Sequence, residues 1–358
     1  MNFPVIYKKQ ALFGLDIGQH TAKFLQLKQA GKKYGLVGLG SVTLEDSMVI
    51  EGVIAEPEQL AKKITEALKQ PELGKINAHS VAAGLPQAYL FSRIINLPAM
   101  PTDKLAEAVQ WEAQQYIPMP MTDIYLDFEI VTTLKNDRGE IREYEILLVA
   151  APRAIIDSYM KLFEFMQLTP HSLETTLAAN IRALHPNGSE DAAVVVIDSG
   201  STATDMAIVT NVVRVTTTIA FGGDALTYDL TQHLKIAEAH AIEIKSKFGI
   251  APSGLQTKIM AAVHPRLNTL ISEVQKLIKY YHERGQTEKT QNIQRILLTG
   301  GVSRMPGFAE YLSAQTKLPV DISSPWDHQP VAKSQPLPHT TATTYTTAFG
   351  LALREFVE

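Results

Sequence analysis

The segment Leu12–Gly18 has the sequence LFGLDIG, and a second segment of the same kind, VVVIDSG, occupies Val194–Gly200. In each copy an apolar stretch ends in Asp-x-Gly, a short polar cluster follows, and a second extended stretch begins, at Phe24 or at Met206. This spacing predicts two antiparallel strands joined by a tight turn. Because the hairpin recurs about 180 residues further along the chain, the sequence predicts a duplicated domain.

Composition places the chain in a broad class. Its 358 residues suggest two domains, and its net charge of -4 argues against a general nucleic-acid binder. The absence of cysteine excludes disulfides, thiolate zinc sites and cysteine nucleophiles. The N-terminal apolar runs are short and broken by Lys8 and Lys9, which is unlike a signal peptide, and no apolar stretch approaches the length of a membrane span. We expect a cytoplasmic α/β protein.

Periodicity predicts the elements between the two hairpins. Apolar residues at helical spacing predict helices over Pro57–Gln70, over Asp103–Tyr116 with Thr102 as N-cap, and over Pro265–Arg284. Two extended stretches, Ile124–Leu134 and Ile141–Ala151, lie on either side of residues 135–139 and predict a long hairpin. Turn-forming residues at 185–190 indicate a domain boundary there.

The two Asp-x-Gly turns are suited to binding an anion together with a cation. Glycine permits a positive φ and close backbone approach, so that successive N–H groups can point at an anion. The aspartate at the strand end can hold a cation directly or through water. Two such turns that faced each other would grip a polyphosphate and its Mg²⁺. A late Gly300-Gly301 pair strengthens the pattern, and no P-loop motif is present.

Together these motifs resemble the actin-like ATPase superfamily, which includes actin, sugar kinases, heat-shock chaperones and bacterial FtsA. GLDIGQHTAK is similar to its first phosphate motif, IDSGSTATD to the second, and ILLTGGVSRMPG to the adenosine motif. Glu174 with Ala178 and Ala179 resembles the first connecting segment, and AFGLALRE the second.

The resemblance implies an actin-like α/β fold: two duplicated RNase H-like domains around a nucleotide cleft, with a small α+β insert in the first domain. The implied boundaries are 1–187 for the first domain with its insert at about 80–150, 188–339 for the second, and 340–358 for a C-terminal helix that returns to the first. The segment EAQQYIPMPMTDIYLDFEIV, residues 112–131, resembles the insert of the PilM family in the FtsA-like branch. The few residues after the second connecting segment favour that family over FtsA, which carries a C-terminal membrane helix.

The resemblance also implies roles for individual residues. Asp16 and Asp198 would organise Mg²⁺, Lys23 would neutralise phosphate charge, and Glu174 would position a hydrolytic water. The phosphate donors would be Gly18, Gln19, His20, Thr21, Gly200, Ser201 and Thr202, and the adenosine side would be formed by Gly222, Gly223, Lys245, Gly300, Gly301 and Val302. Ile242 stands where the superfamily has the acid of Glu-x-x-Lys.

Resemblance to the PilM family implies a cytoplasmic ATP-binding scaffold with at most weak ATPase activity. Its expected partner is the N-terminal cytoplasmic peptide of PilN, a bitopic inner-membrane protein, and through it the pilus alignment complex. The peptide would lie in a groove beside the insert, and membrane association would be indirect. The resemblance leaves open whether the protein forms a homo-oligomer. Two alternatives are an FtsA-like cell-division filament protein and a small-molecule kinase of the same fold.

Overall fold

The computed structural model describes residues 11–136, 138–184, 192–284, 292–331 and 337–356. By their contacts the residues form two compact units. Of the described residues, the first unit comprises those within 1–85, 158–184 and 325–358, and the second comprises those within 86–157 and 185–324. The predicted boundary at 187 lies outside the described residues.

The described chain contains both strands and helices. The strands are β1 Leu12–Ile17, β2 Thr21–Ala30, β3 Lys33–Thr43, β4 Val49–Ile50, β5 Val53–Ile54, β6 Leu73–Gly74, β7 Ser80–Leu85, β8 Phe91–Pro98, β9 Ile124–Lys135, β10 Ile141–Pro152, β11 Thr169–Thr175, β12 Ala193–Ser199, β13 Thr204–Val209, β14 Val213–Ile219, β15 Ile293–Thr299 and β16 Val320–Ile322. The helices are α1 Pro57–Lys69, α2 Thr102–Tyr116, α3 Arg153–Met166, α4 Thr176–Leu184, α5 Gly223–Leu234, α6 Glu238–Lys247, α7 Gln256–Arg284, α8 Phe308–Thr316, α9 Pro325–His328, α10 His339–Ala342 and α11 Thr346–Ala352.

The central sheet of each unit is built in the same way. In the first unit the strand order is β11-β7-β1-β2-β3-β6, and in the second it is β14-β13-β12-β15-β16. In each sheet the first strand begins an antiparallel meander of three strands, β1-β2-β3 or β12-β13-β14, and two parallel strands lie on its other side. In the first sheet β6 also pairs with β3. The predicted hairpins are therefore β1–β2 and β12–β13, and the predicted duplication of the fold is confirmed.

The insert forms a sheet of its own, in the order β8-β10-β9. Leu105, Val109 and Ala113 of α2 pack against Ile146 and Leu148 of β10, so that α2 covers one face of this sheet. The long hairpin predicted around residues 135–139 is the β9–β10 pair. Residues 86–157, which include this sheet, belong to the second compact unit.

Two predicted helix starts were wrong. Helix α7 begins at Gln256, so Pro265 lies inside it, although proline is favoured in the first helical turn. The upstream residues Ile259 and Val263 are buried in the core of the second unit, and their burial favours continuing the helix through the proline. Helix α2 begins at Thr102 itself, and Pro101 precedes it, so the residue predicted as N-cap is already helical.

Candidate functional site

The two Asp-x-Gly turns close with the same hydrogen bond. The amide of Gly18 donates to the carbonyl of Thr21, and the amide of Gly200 donates to the carbonyl of Ala203, each at 2.9 Å. A Cβ at either glycine would lie 3.3 or 3.2 Å from that same carbonyl. Neither glycine has a positive φ, so the expectation based on φ was wrong for both. Glycine is favoured here because the turn carbonyl lies close, and because it leaves the backbone accessible to a ligand.

In the first turn, several predicted side chains are engaged within the unit. The side-chain amide of Gln19 donates to the carbonyl of Val49 at 2.9 Å, and His20 Nδ1 lies 3.1 Å from Asp46. Lys23 Nζ donates to Thr21 Oγ1 at 3.0 Å. Backbone groups of the turn, more than the Gln19 side chain, are therefore suited to a ligand.

Asp16 lies opposite Lys23 in the β1–β2 hairpin, and the Lys23 ammonium is 3.9 Å from its carboxylate. Burial raises the pKa of Asp16, and the charge of Lys23 offsets part of that rise. The buried hydroxyl of Tyr159, on α3, has no hydrogen-bond partner among the described residues. Burial and the nearby charge of Asp16 both raise the pKa of Tyr159. Sequence reasoning missed Tyr159, because it occupies an apolar position of the helix pattern.

We expect Asp16→Asn to stabilise the ligand-free protein at neutral pH. Because the folded state binds the Asp16 proton more tightly than the unfolded state does, stability declines as pH rises from the ordinary aspartate pKa through the raised folded value. The amide removes this cost. Thermal unfolding of both proteins with EDTA, from pH 4 to pH 8, would measure a midpoint gap that widens with pH. A gap independent of pH would contradict the prediction.

In the second unit, the Asp198 turn is tied to the start of α5. The amide of Gly223 donates to the carbonyl of Gly200 at 3.0 Å, and that of Asp224 donates to the carbonyl of Ser201 at 2.9 Å. A Cβ on Gly222 would lie 2.2 Å from the Ser201 carbonyl oxygen. This close approach requires a glycine and fixes the turn against the helix.

Lys245, on α6, reaches the same helix start. Its Nζ donates to the carbonyl of Gly223 and to Thr227 Oγ1, each at 2.7 Å. Burial lowers the pKa of Lys245, and the negative charge of Asp224 opposes that shift. The ammonium is therefore held in place and only partly solvated, which strengthens its attraction for an anion.

Gly300 is required beside Asp198. It has a φ of +86°, and a Cβ there would lie 2.3 Å from Asp198 Oδ1. Ser303 Oγ donates to the Gly300 carbonyl at 2.6 Å and helps to fix the turn. Beside it, Gly301 has no atom within 4 Å of the place where a Cβ would be. The backbone at Gly301 is thus open to a ligand.

These residues surround a cavity of about 340 Å³ in the second unit. Among the predicted site residues, its lining includes Gly200, Ser201, Gly223, Lys245, Gly301 and Val302. Thr202, Gly222 and Gly300 are adjacent in sequence but do not line it. The lining also includes Asp224, Ile242, Ser246, Arg304 and Met305. Of these, Asp224, Ser246, Arg304 and Met305 were missed, although Arg304 could have been suspected because it follows the Gly-Gly turn so closely.

Glu174, the predicted catalytic residue, forms an ion pair within the first unit. Both of its oxygens accept hydrogen bonds from Arg182, at 2.7 and 2.5 Å, and Arg182 also donates to the Gly350 carbonyl at 2.8 Å. The two side chains are only 13% and 18% exposed. To position a water, Glu174 would have to share or release this guanidinium.

We expect Glu174→Gln to lower the free energy of unfolding by about 3 kcal/mol, because it leaves the Arg182 charge buried without its counter-ion. Urea unfolding measures this loss. Adding Arg182→Met to Glu174→Gln should recover part of it, since the unpaired charge is then removed. A purely catalytic Glu174 would give the opposite pattern, with unchanged stability and slower ATP hydrolysis.

The residues fit a nucleotide with Mg²⁺. The cavity volume lies within the usual range for small-molecule sites, and its wall combines open glycine backbone with a fixed ammonium. No group of three or more acidic or histidine side chains converges on a metal site among the described residues. Mg²⁺ commonly takes one or two carboxylates and completes its shell with water and phosphate oxygens, so single aspartates such as Asp16 and Asp198 suit it.

The chain is similar to known proteins in both sequence and structure. The family model for type IV pilus assembly protein PilM matches residues 14–356. The cell division protein FtsA of Neisseria meningitidis serogroup B is 25% identical over 360 residues, covering 87% of this chain and 83% of that protein. Within the described ranges, no helix combines the length and apolarity needed to cross a membrane.

Among solved structures, a PilM–PilN type IV pilus biogenesis complex matches with a TM-score of 0.83 and 24% identity, covering 98% of this chain and 100% of the matched chain. MreB5 of Spiroplasma citri bound to AMPPNP matches with a TM-score of 0.54 and 11% identity, covering 98% and 97%. These likenesses show the actin-like fold. Because the family model spans nearly the whole described chain, the protein belongs to the type IV pilus assembly protein PilM family.

Proposed function

We propose that this protein is an ATP-binding scaffold of the type IV pilus inner-membrane platform. Nucleotide binding is supported by the cavity in the second unit, where Gly223, Gly301 and Lys245 meet beside the Asp198 turn. Membership of the PilM family favours this role over the division filament and the kinase. A solved neighbour bound to AMPPNP gives further support for the choice of nucleotide.

In this proposal, backbone turns and lysine side chains bind the phosphates. The amides and glycines of the 18–21 and 200–202 turns approach the phosphates, while Lys23 and Lys245 supply positive charge. Asp16 and Asp198 would hold Mg²⁺, largely through water, and the metal would neutralise phosphate charge. Because Glu174 is paired with Arg182, we propose that hydrolysis is weak at most. Nucleotide then acts chiefly as a ligand that stabilises one conformation by mass action.

The proposed partner is the N-terminal cytoplasmic peptide of PilN. The matched PilM–PilN complex supports this choice. We place the peptide beside the insert, within roughly residues 80–150. Its sheet is covered by α2 on one face, while Leu147 and Val149 point to the other and are half-buried. Through PilN, the protein would be cytoplasmic and peripheral to the inner membrane.

The test is binding of a fluorescent peptide with the N-terminal cytoplasmic sequence of PilN from the same organism, with and without Mg-ATP. We expect specific binding relative to a scrambled peptide, and an affinity that changes with Mg-ATP in the wild type but not in Asp16→Asn. The amide should weaken Mg²⁺ binding while leaving the insert intact. Failure to bind the peptide would contradict the scaffold. Equal affinity with and without Mg-ATP would contradict the coupling, and ATP turnover stimulated by one metabolite would favour a kinase.

A further inference from the structure

A second cavity, of about 490 Å³, lies between two sheets of the second unit. One wall is the edge strand β8 of the insert, at Phe91–Ile94, and the other is the edge strand β14, at Arg214–Thr217. Glu273, Lys276 and Tyr280 of α7 complete the lining. We call this cavity the edge-strand groove. It shares no lining residue with the nucleotide cavity.

The groove is lined by backbone that can pair with a further strand. In an edge strand, alternate N–H and C=O groups point away from the sheet, and here two such edges face one space. Ser92 Oγ and Thr216 Oγ1 are 3.5 Å apart, so the two strands come close at this point. All seven residues of β14 are only half-buried. Because neighbouring strands lie about 4.8 Å apart, no strand fits between the two edges at this contact, and an extended segment lying along the groove would pair with one edge only.

The charged side chains around the groove determine which kind of segment can bind there. Arg214 lies 3.4 Å from Glu145, and Lys276 lies 2.6 Å from Glu273. Arg93 has no carboxylate partner in the described part of the chain. Its guanidinium stacks on the Tyr116 ring at 3.9 Å, which orients the group and leaves its N–H edge for a carboxylate.

An aromatic side chain completes the surface. Tyr280 is 49% exposed, although it lines a concave site. Tyrosine and arginine are the residue types that most often dominate binding energy at interfaces. Arg93 on one wall and Tyr280 on another thus offer two anchors, one for an acidic and one for an apolar side chain.

We propose that the edge-strand groove binds a short extended segment of a partner protein, in which an acidic side chain pairs with Arg93 and an apolar side chain packs on Tyr280. Main-chain pairing with one strand edge supplies affinity, and the two side chains supply specificity. This surface is separate from the nucleotide cavity, and competition with the PilN peptide tests whether it is also separate from the proposed PilN site.

The probe is a random octapeptide library displayed on phage and selected on the full-length protein. We expect enriched peptides to combine an acidic residue with nearby apolar residues. For a synthetic enriched peptide, Arg93→Glu and Tyr280→Ala should each weaken binding at least tenfold. Arg138→Glu is the matched control, because Arg138 is an exposed arginine of the insert outside the groove. Urea unfolding would verify that every variant is folded.

Hydrogen exchange with the bound peptide gives a second readout. Protection confined to residues 91–94 or to residues 214–217 would support strand addition at one edge of the groove. The proposal is overturned if no peptide is enriched, or if folded Arg93→Glu and Tyr280→Ala bind as well as the control. Competition by the PilN peptide for the same site would also overturn it as a separate surface, while leaving the scaffold function intact.

Discussion

Gly350→Ala should lower the free energy of unfolding by about 3 kcal/mol, the upper end of the usual cost of overpacking. A Cβ at this position would lie 1.9 Å from the carbonyl oxygen of Ala179 and 2.5 Å from its carbonyl carbon. Both atoms belong to the backbone of α4, so the clash cannot be relieved by a rotamer change. The helices α4 and α11 would have to move apart.

The expected loss of stability is opposite to the change that helix propensity alone would give. In a helix interior alanine is normally favoured over glycine by roughly 1 kcal/mol, and Gly350 lies within α11. Every residue of α11 is buried, and on β1 a Cβ at Gly14 would lie 2.1 Å from the carbonyl of Ala348. We therefore infer that close approach of this helix to its neighbours, rather than helix propensity, requires the glycine.

Urea unfolding of Gly350→Ala and of Gly254→Ala would test this. Gly254 is the matched control, because no atom lies within 4 Å of the place where its Cβ would be. We expect the control to stay within about 0.5 kcal/mol of the wild type, as surface substitutions usually do. If Gly350→Ala were as stable as the control, the close helix contact would be wrong.

The parts of the molecule that the sequence could predict are those with local signals. An Asp-x-Gly between two extended stretches determines a hairpin within a few residues, and both hairpins form as predicted, with Asp16 paired to Lys23 in the first. The duplicated strand order followed from the repeat of that local signal. Helix α7 was misjudged because proline is a local signal for a helix start, whereas the continuation through Pro265 is decided by burial in the core.

The parts that could not be predicted depend on residues distant in the chain. Arg304 and Asp224 meet at the cavity of the second unit only because β12 and β15 are neighbours and α5 begins beside the turn between β12 and β13. Likewise, Glu174 and Arg182 pair across the junction of β11 and α4. No periodicity in the sequence indicates these contacts. The contacts of Gln19 and His20 could not be predicted for the same reason, because their side chains contact Val49 and Asp46, which are distant in the chain.

Lys245→Met should weaken ATP binding by about 10- to 100-fold, the range expected when a hydrogen bond to a charged group is lost. The Lys245 ammonium makes two hydrogen bonds at the start of α5 and lines the proposed nucleotide cavity. Methionine keeps the length and the apolar contacts of the side chain but removes the charge. The loss should therefore appear in affinity more than in folding, although the Gly223 carbonyl also loses its donor.

Isothermal titration of Mg-ATP into both proteins would measure the effect, with Lys247→Met as the matched control. Lys247 is an exposed lysine at the end of the same helix and does not line the cavity. We expect its variant to bind like the wild type. If both variants bound ATP as tightly as the wild type, the cavity in the second unit would not be the nucleotide site. In contrast, an equal loss in both would show that overall charge, not the fixed ammonium, governs binding, and such a loss should then shrink as salt is added.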